Sequence, residues 1–201
     1  DSNCFVPGNS ADDIREKLDE EGFCVAGIPL TERKIKGIST ETIDEVLNYA
    51  DAVLIEADGS ARLPFKVPAS HEPVIYPKTD RILVVEGLSA LGRPINDICH
   101  RKELFCDLTG LEGENWLDEN GMAEGIVKGY LCPMSERFPN MNLTVILNQA
   151  DDEKKEAVGE KVAGKVTSLW NRQKKSKRIP VYPVSWRRMR EEKEELAWLF
   201  I

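Results

Sequence analysis

The sequence predicts an α/β protein with a mainly parallel sheet and helices on both faces. Three apolar runs, at 52–57, 81–87 and 143–148, carry this prediction, and the last two do not alternate between polar and apolar residues. Strands of that kind are buried on both faces, which requires a layer of helices on each side of the sheet. Helical patterns separate the runs and favour parallel strands joined by crossover connections.

Capping residues and apolar periodicity predict the individual elements. The first helix is expected over 12–21 with Ser10 as its cap, and the second begins at Ser39. The remaining elements are a short strand at 23–26, a long helix at 151–171 and a strand at 179–184 whose prolines place it near an edge. The side chains expected to be buried in neighbouring parallel strands are Val53, Leu54, Val84, Val85, Val145 and Ile146.

Size and composition indicate one domain and limit the class of partner. The 201 residues are predicted to form a single α/β domain over 1–201, with a helical insertion at about 96–128. The net charge of −8 disfavours a binder of nucleic acid or of anionic membranes, because both need a positive face. Five cysteines without a CxxC pair disfavour a structural zinc site. With no signal peptide and no membrane-spanning run, we expect a cytoplasmic protein.

The first polar cluster lies at the end of the run 52–57 and consists of Glu56, Asp58 and Ser60. In extended backbone, Glu56 and Asp58 point to the same side, where they would hold Mg²⁺ or orient a water. We therefore predict Glu56 and Asp58 as catalytic residues and metal ligands, and Ser60 as a cofactor-binding residue. The alternative is a strand end rich in turn-forming residues.

The second polar cluster begins in a proline-braced loop. The prolines around Lys66 predict an ammonium presented to a phosphate or carboxylate, with a solvated loop lysine as the alternative. His71 is interpreted as a base, a metal ligand or a hydrogen-bonded loop histidine. Together with Glu72, His100 and Arg101, these side chains are predicted to line one cofactor-binding cleft at the carboxyl ends of the strands.

The third cluster, Asn148 to Asp151, follows a buried strand and opens a helix. Nucleotide-binding enzymes carry an Asn-Lys-x-Asp guanine reader at this place, although Gln149 replaces its lysine here. Asn148 and Asp151 are therefore predicted to bind a cofactor. A helix cap is the alternative, because an aspartate also suits a helix start by its charge alone.

The strings EADGS at 56–60, PFKVPA at 64–69 and HEPV at 71–74 resemble the YqeC-type family. The resemblance covers about residues 20–155 and includes 87–88, 100–101 and 147–151. Members of this family are described as accessory proteins of selenium-dependent molybdenum hydroxylases. They resemble P-loop nucleotide-binding proteins. The resemblance thus implies a P-loop-like fold, Mg²⁺ and a nucleoside triphosphate as cofactors, and the hydroxylase or its maturation factors as partners.

The sequence departs from the family pattern at its beginning. Members usually start with a strand, a Gly-Gly-Lys-Thr loop and a second strand, whereas this sequence starts at Asp1 and contains no G-x-x-x-x-G-K-[ST]. We expect either a fragment lacking its N-terminal phosphate loop or a member that has lost it, with weak triphosphate binding in both cases. The leading functional prediction is a cytoplasmic accessory protein. The alternatives are a non-catalytic cofactor- or client-binding module and a Mg-dependent phosphohydrolase or nucleotidyl transferase.

Overall fold

The structure, a computed structural model, describes residues 4–32, 34–173 and 177–192. The chain divides into two compact units, Asp1–Ala57 and Asp58–Ile201, and each is described by itself. This division does not test whether the two units fold together as one domain. The single domain over 1–201 therefore stays a prediction.

The first unit combines a small mixed sheet with two helices. Its elements are β1 Phe5–Pro7, α1 Ala11–Glu21, β2 Val25–Thr31, β3 Lys34–Lys36 and α2 Thr40–Val46. Strand β1 runs parallel to β2, whereas β3 is antiparallel to β2, so this sheet is not purely parallel. Both predicted caps are confirmed, because Ser10 and Ser39 each accept a backbone N–H three residues later, at 3.2 Å. The short strand predicted at 23–26 begins two residues later than expected, at Val25, and continues as β2 to Thr31.

The run 52–57 is not a strand, so the strand predicted there is wrong. Leu54 and Ile55 are exposed, and Val53 is half-buried against the core of the first unit. The run has no strand partner among the described residues. A backbone segment becomes a strand only where a neighbouring segment accepts and donates its hydrogen bonds, and apolar side chains alone do not supply them.

The second unit contains the longer sheet. Its strands are β4 Phe65–Lys66, β5 Arg81–Gly87, β6 Cys99–His100, β7 Asn142–Asn148 and β8 Val181–Val184. Its helices are α3 Ile95–Ile98, α4 Lys102–Thr109, α5 Glu119–Glu124, α6 Cys132–Arg137, α7 Glu153–Arg172 and α8 Trp186–Glu192, and a π-helical stretch over Gly125–Leu131 joins α5 to α6. Within the described ranges, no helix is both long and apolar enough to cross a membrane.

The sheet of the second unit is parallel, as predicted. Its order is β5-β7-β8, and β4 and β6 form a separate parallel pair. Strand β7 is covered on both faces: Val145 belongs to the main core with side chains of α7, and Ile146 packs with Val184 and with half-buried side chains of α8. The predicted edge position of the last strand is also confirmed. The resemblance to a P-loop fold stays a prediction.

Strand β5 differs from β7 in burial. Val84 is buried, whereas Val85 and Leu83 are exposed, so the predicted burial of Val85 is wrong. Alternate residues of a strand face opposite sides of the sheet. Leu83 and Val85 therefore share a face of β5 that the described residues leave open, although the sequence of β5 is as apolar as that of β7.

The predicted insertion at about 96–128 is mainly helical, but it contains the two-residue strand β6, which sequence analysis misses. A pair of strands two residues long has no periodicity to detect. Phe105 of α4 packs edge-on against Phe65 of β4, with ring centroids 5.3 Å apart, and both side chains are fully buried. This contact fixes β4, and with it the neighbouring Lys66, against the core.

Candidate functional site

A buried ion-pair network surrounds Lys66, whose side chain is only 4% exposed. Its ammonium donates to Asp58 Oδ1 and to the Gly59 carbonyl oxygen at 2.8 Å, and lies 3.2 Å from Glu72 Oε2. A lysine ammonium has three N–H donors, so these three oxygens occupy all of them. The Lys66 ammonium is therefore buried and not exposed in the loop, because the pairing of β4 with β6 turns this residue into the interior. A cofactor-binding role for Lys66 stays a prediction.

Glu72 joins a second cation to the network. Its carboxylate accepts from Arg101 Nε at 3.1 Å, from Arg101 Nη2 at 2.5 Å and from the Ala69 amide at 3.1 Å. Burial alone would raise the pKa of Glu72, but the bonds from Ala69, Arg101 and Lys66 lower it to about 2. Glu72 therefore stays ionised and bridges the two cations.

Sequence analysis does not single out Glu86, which lies within the same network near the end of β5. Only 2% of the residue is exposed, and its Oε2 accepts the Lys66 backbone N–H at 3.2 Å. Burial raises the pKa of Glu86 well above its usual value; the Lys66 amide and charge oppose this effect, and the Asp58 charge adds to it. The signal in the sequence is one charged residue inside an apolar, non-alternating run, because a buried carboxyl needs specific partners.

Backbone contacts among β4, β5 and β6 hold the side chains of this network in position. Lys66 lies opposite His100 in the β4–β6 pair, and the next residue, Arg101, adopts a left-handed φ of 64° before α4 begins. The Gly87 amide donates to the Pro64 carbonyl oxygen at 2.7 Å, which joins the end of β5 to the start of β4. A Cβ at Gly87 would lie 3.0 Å from that oxygen, so the approach of the two backbones favours glycine.

Three other predicted residues lie at the margin of the network or outside it. The His71 side chain is 75% exposed, with Nε2 3.9 Å from Glu72 Oε1. Ser60 closes a turn in which its carbonyl oxygen accepts the Leu63 amide at 3.0 Å. Glu56 is an exposed residue of the first unit, and the strand expected to align it with Asp58 is not formed. Its predicted role beside Asp58 stays a prediction.

Asn148 ends β7 and Asp151 follows three residues later, and each side chain accepts a hydrogen bond from within the protein. Asn148 Oδ1 accepts the amide of Gln149, which has a left-handed φ of 70°, at 2.7 Å. Asp151 Oδ1 accepts the Ser185 hydroxyl at 2.7 Å, and the next residue, Asp152, caps α7. These bonds organise the carboxyl edge of the sheet, and a cofactor-binding role for the two residues stays a prediction.

The described residues offer few side chains that could together act as ligands of a metal ion. Within the described ranges, no three His, Cys, Asp or Glu side chains form a group that could hold one. Two carboxylate oxygens of the network, Asp58 Oδ2 and Glu86 Oε1, are buried and have no hydrogen-bond partner among the described residues. Buried polar atoms without partners are unfavourable, so these two oxygens are the chemically unsatisfied part of the site.

Tyr130 and Cys99 lie near the acidic side chains and are also missed by sequence analysis. Burial, and then the charges of Glu86, Asp58 and Glu72, raise the pKa of the Tyr130 hydroxyl. Burial, and then the Glu86 charge, raise the pKa of the Cys99 thiol to about 12. Cys99 is therefore a poor nucleophile. Tyr130 belongs to the π-helical stretch, and π-helical turns occur frequently at functional sites.

Comparison with known proteins places the network inside a described family region. A family model described as "YqeC protein" matches residues 3–103, a range that contains Asp58, Lys66, Glu72, Glu86 and Arg101. The uncharacterized protein YqeC of Escherichia coli (strain K12) is 36% identical over 92 residues, which cover 44% of this chain and 36% of that relative. The chain thus spans about a third of the length of that curated relative. No solved structure matches.

Proposed function

The chain belongs to the YqeC family, and from that premise we propose that it serves a selenium-dependent molybdenum hydroxylase as an accessory protein. In this proposal the chain acts by binding a protein partner and not by hydrolysing a nucleotide. The accessory role is supported by the resemblance of the strings at 56–60, 64–69 and 71–74. The binding mode is supported by one observation, which is that Lys66 already donates to three oxygens of its own chain.

A lysine that binds phosphate acts as an accessible point charge. The Lys66 ammonium is inaccessible, and its charge is matched by the carboxylates of Asp58 and Glu72. Moving it to a phosphate would leave the Asp58 carboxylate buried without its cation and would remove one of the two cations that Glu72 binds, which is strongly unfavourable. Lys66 therefore serves to hold the loop 58–74 in one conformation.

The loop held in this way displays two side chains at its tip. His71 is 75% exposed and Val74 is 72% exposed, whereas Glu72 between them is fixed through both its carboxylate and its carbonyl oxygen. The carbonyl oxygen of Glu72 accepts from Arg137 Nη1 at 2.9 Å. A preordered loop loses little conformational freedom on binding, so His71 and Val74 are suited to contact a protein partner.

The test is rescue of hydroxylase activity in cells that lack the native accessory protein. The full-length protein carrying His71→Ala and Val74→Ser together should lose rescue while its melting temperature stays nearly unchanged, because both side chains are exposed. Trp116→Ser is the matched control, since Trp116 is a similarly exposed apolar residue outside these strings. Full rescue by the double variant would contradict the proposal.

Nucleotide binding separates the binding module from the enzyme alternative. Calorimetry of the chain 1–201 with Mg-ATP and Mg-GTP should give dissociation constants well above ~1 µM, a value that corresponds to about 8 kcal/mol. Tighter binding would show that other groups replace the phosphate loop. It would favour a phosphohydrolase or nucleotidyl transferase.

A further inference from the structure

Two cysteines of the first unit lie at the start of its parallel strand pair. Phe5 and Val25 are opposite each other in the pairing of β1 with β2. Cys4 and Cys24 are the residues immediately before them, and both thiols are free. Neighbouring strands lie about 4.7–4.9 Å apart, and a disulfide joins residues whose Cα atoms are about 4.4–6.8 Å apart. The register of β1 and β2 therefore brings the two cysteines within reach of a disulfide.

The two thiols share the partly dry side of this unit. Cys4 is buried, with 7% of its surface exposed, and Cys24 is half-buried against the core of the first unit. Burial raises the pKa of the Cys24 thiol, and the charge of the Cys4 thiol adds to this effect, which indicates that the two sulfur atoms are near each other. The two cysteines thus meet by register, by burial and by electrostatic interaction.

We infer that Cys4 and Cys24 form a reversible disulfide, made by thiol–disulfide exchange with a small soluble disulfide of the glutathione type. In the first step, the Cys24 thiolate attacks one sulfur of the small disulfide, whose S–S bond breaks and releases one small thiolate. In the second step, Cys4 loses its proton to solvent and attacks Cys24 Sγ, which releases the second small thiolate. The cysteine pair is oxidised by two electrons, and the small disulfide is reduced to two thiols. The inference is independent of the proposed hydroxylase role.

The exposure of the two cysteines sets the order of these steps. Cys24 is the more accessible thiol and meets the external disulfide, whereas the buried Cys4 reacts only within the chain. The raised pKa of Cys24 lowers its thiolate fraction at neutral pH, so the exchange should be slow. The pair is therefore suited to respond to sustained rather than brief oxidising conditions.

A disulfide at this place would stabilise a unit that has a small core. The buried core cluster of the first unit consists of three described residues, Val6, Ile14 and Val46. The link would close the segment 4–24, which contains β1 and α1. A covalent link restricts the unfolded chain, and units with small cores depend most on such links. Oxidation should therefore reduce local opening of the first unit.

The test is peptide mapping of the full-length protein after equilibration in glutathione buffers of increasing oxidised fraction, with free thiols trapped by alkylation. Trypsin cleaves between the two cysteines, after Arg15 and after Lys17. Their peptides should be joined in the oxidised protein and separate in the reduced protein. Hydrogen exchange of the β1 and β2 amides should be at least about tenfold slower in the linked protein, with α7 unchanged. A link that never forms, or one that leaves exchange unchanged, would overturn the inference.

Two variants assign the effect to this pair. Cys4→Ser should lose both the link and the slower exchange, and should keep glutathione as a mixed disulfide on Cys24, because the second thiol is gone. Cys106→Ser, which removes a half-buried cysteine of α4, is the matched control and should keep both. Slower exchange in oxidised Cys4→Ser equal to that of the wild type would contradict the assignment. If Cys4→Ser does not fold, the wild-type map decides, since a link from Cys24 to any other cysteine overturns the inference.

Discussion

Lys66 and His71 belong to one proline-braced loop and were predicted to share one cleft, yet their surroundings are opposite. Lys66 is buried among three oxygen partners, whereas His71 lies in solvent with one carboxylate 3.9 Å away. The prolines stiffen the loop but do not decide which side chain faces the interior. That choice follows from the pairing of β4 with β6, so the loop has an inner face that holds it and an outer face that it displays.

The strongest test of this comparison is removal of the inner charge. Lys66→Met should lower the free energy of unfolding by about 3–5 kcal/mol, because Asp58 would stay buried without its cation and Glu72 would lose one of its two cations. Urea unfolding measures the loss. Lys128→Met is the control: Lys128 forms an exposed pair with Glu124 at 2.7 Å, and its loss should cost about 0.5 kcal/mol or less. Equal losses in the two variants would mean that Lys66 behaves as a surface lysine.

Sequence reasoning succeeded where the signal is local. The caps Ser10 and Ser39 and the strands β5 and β7 are each specified by a few adjacent residues, and all are confirmed. It failed where pairing between distant segments decides. The run 52–57 has the composition of a strand but no strand partner among the described residues. Val85 is an apolar residue of the kind found in cores, but it lies on a face of β5 that is exposed.

The candidate site shows the same limit. The sequence identified Asp58, Lys66, Glu72 and Arg101 as polar residues of unusual context, and the structure joins them. It assigned Lys66 to an external anion because nothing local reveals a two-residue strand pair. Glu86 was missed, since it looked like part of a strand rather than part of a site.

Acid should weaken the inner face through Glu72, which is the next largest effect. The pKa of Glu72 is about 2 in the folded protein, below that of an ordinary glutamate in the unfolded chain. The unfolded state therefore takes up the proton first, and stability falls as the pH decreases from about 4.5 toward 2. Glu72→Gln should remove a contribution on the order of 2 kcal/mol from this acid loss, after allowance for partial exposure. Unfolding of both proteins between pH 2 and 6 measures it, and Glu160→Gln should leave the slope unchanged.

The junction between β5 and the loop should tolerate a methyl group poorly. In Gly87→Ala the new Cβ would lie 2.8 Å from Gln149 Oε1 and 3.0 Å from the Pro64 carbonyl oxygen, so we expect a loss of about 1–3 kcal/mol. Gly164→Ala is the matched control, because a Cβ there meets nothing within 4 Å and alanine stabilises a helix interior by about 0.5–1 kcal/mol. Urea unfolding should thus give changes of opposite sign, and stabilisation by both would show that the junction is loose.

The smallest effect is expected on the outer face. His71→Ala should change the free energy of unfolding by about 0.5 kcal/mol or less, because an exposed pair at 3.9 Å from Glu72 contributes little. Any change that comes from the charge interaction between His71 and Glu72 should disappear at 1 M salt, where the screening length is about 3 Å. Urea unfolding at 0.1 M and 1 M salt measures both. A loss comparable with that of Lys66→Met, or one that persists at 1 M salt, would place His71 in the buried network. The division of the loop into a holding face and a display face would then fail for His71, and Val74 would be left as the exposed side chain at the tip.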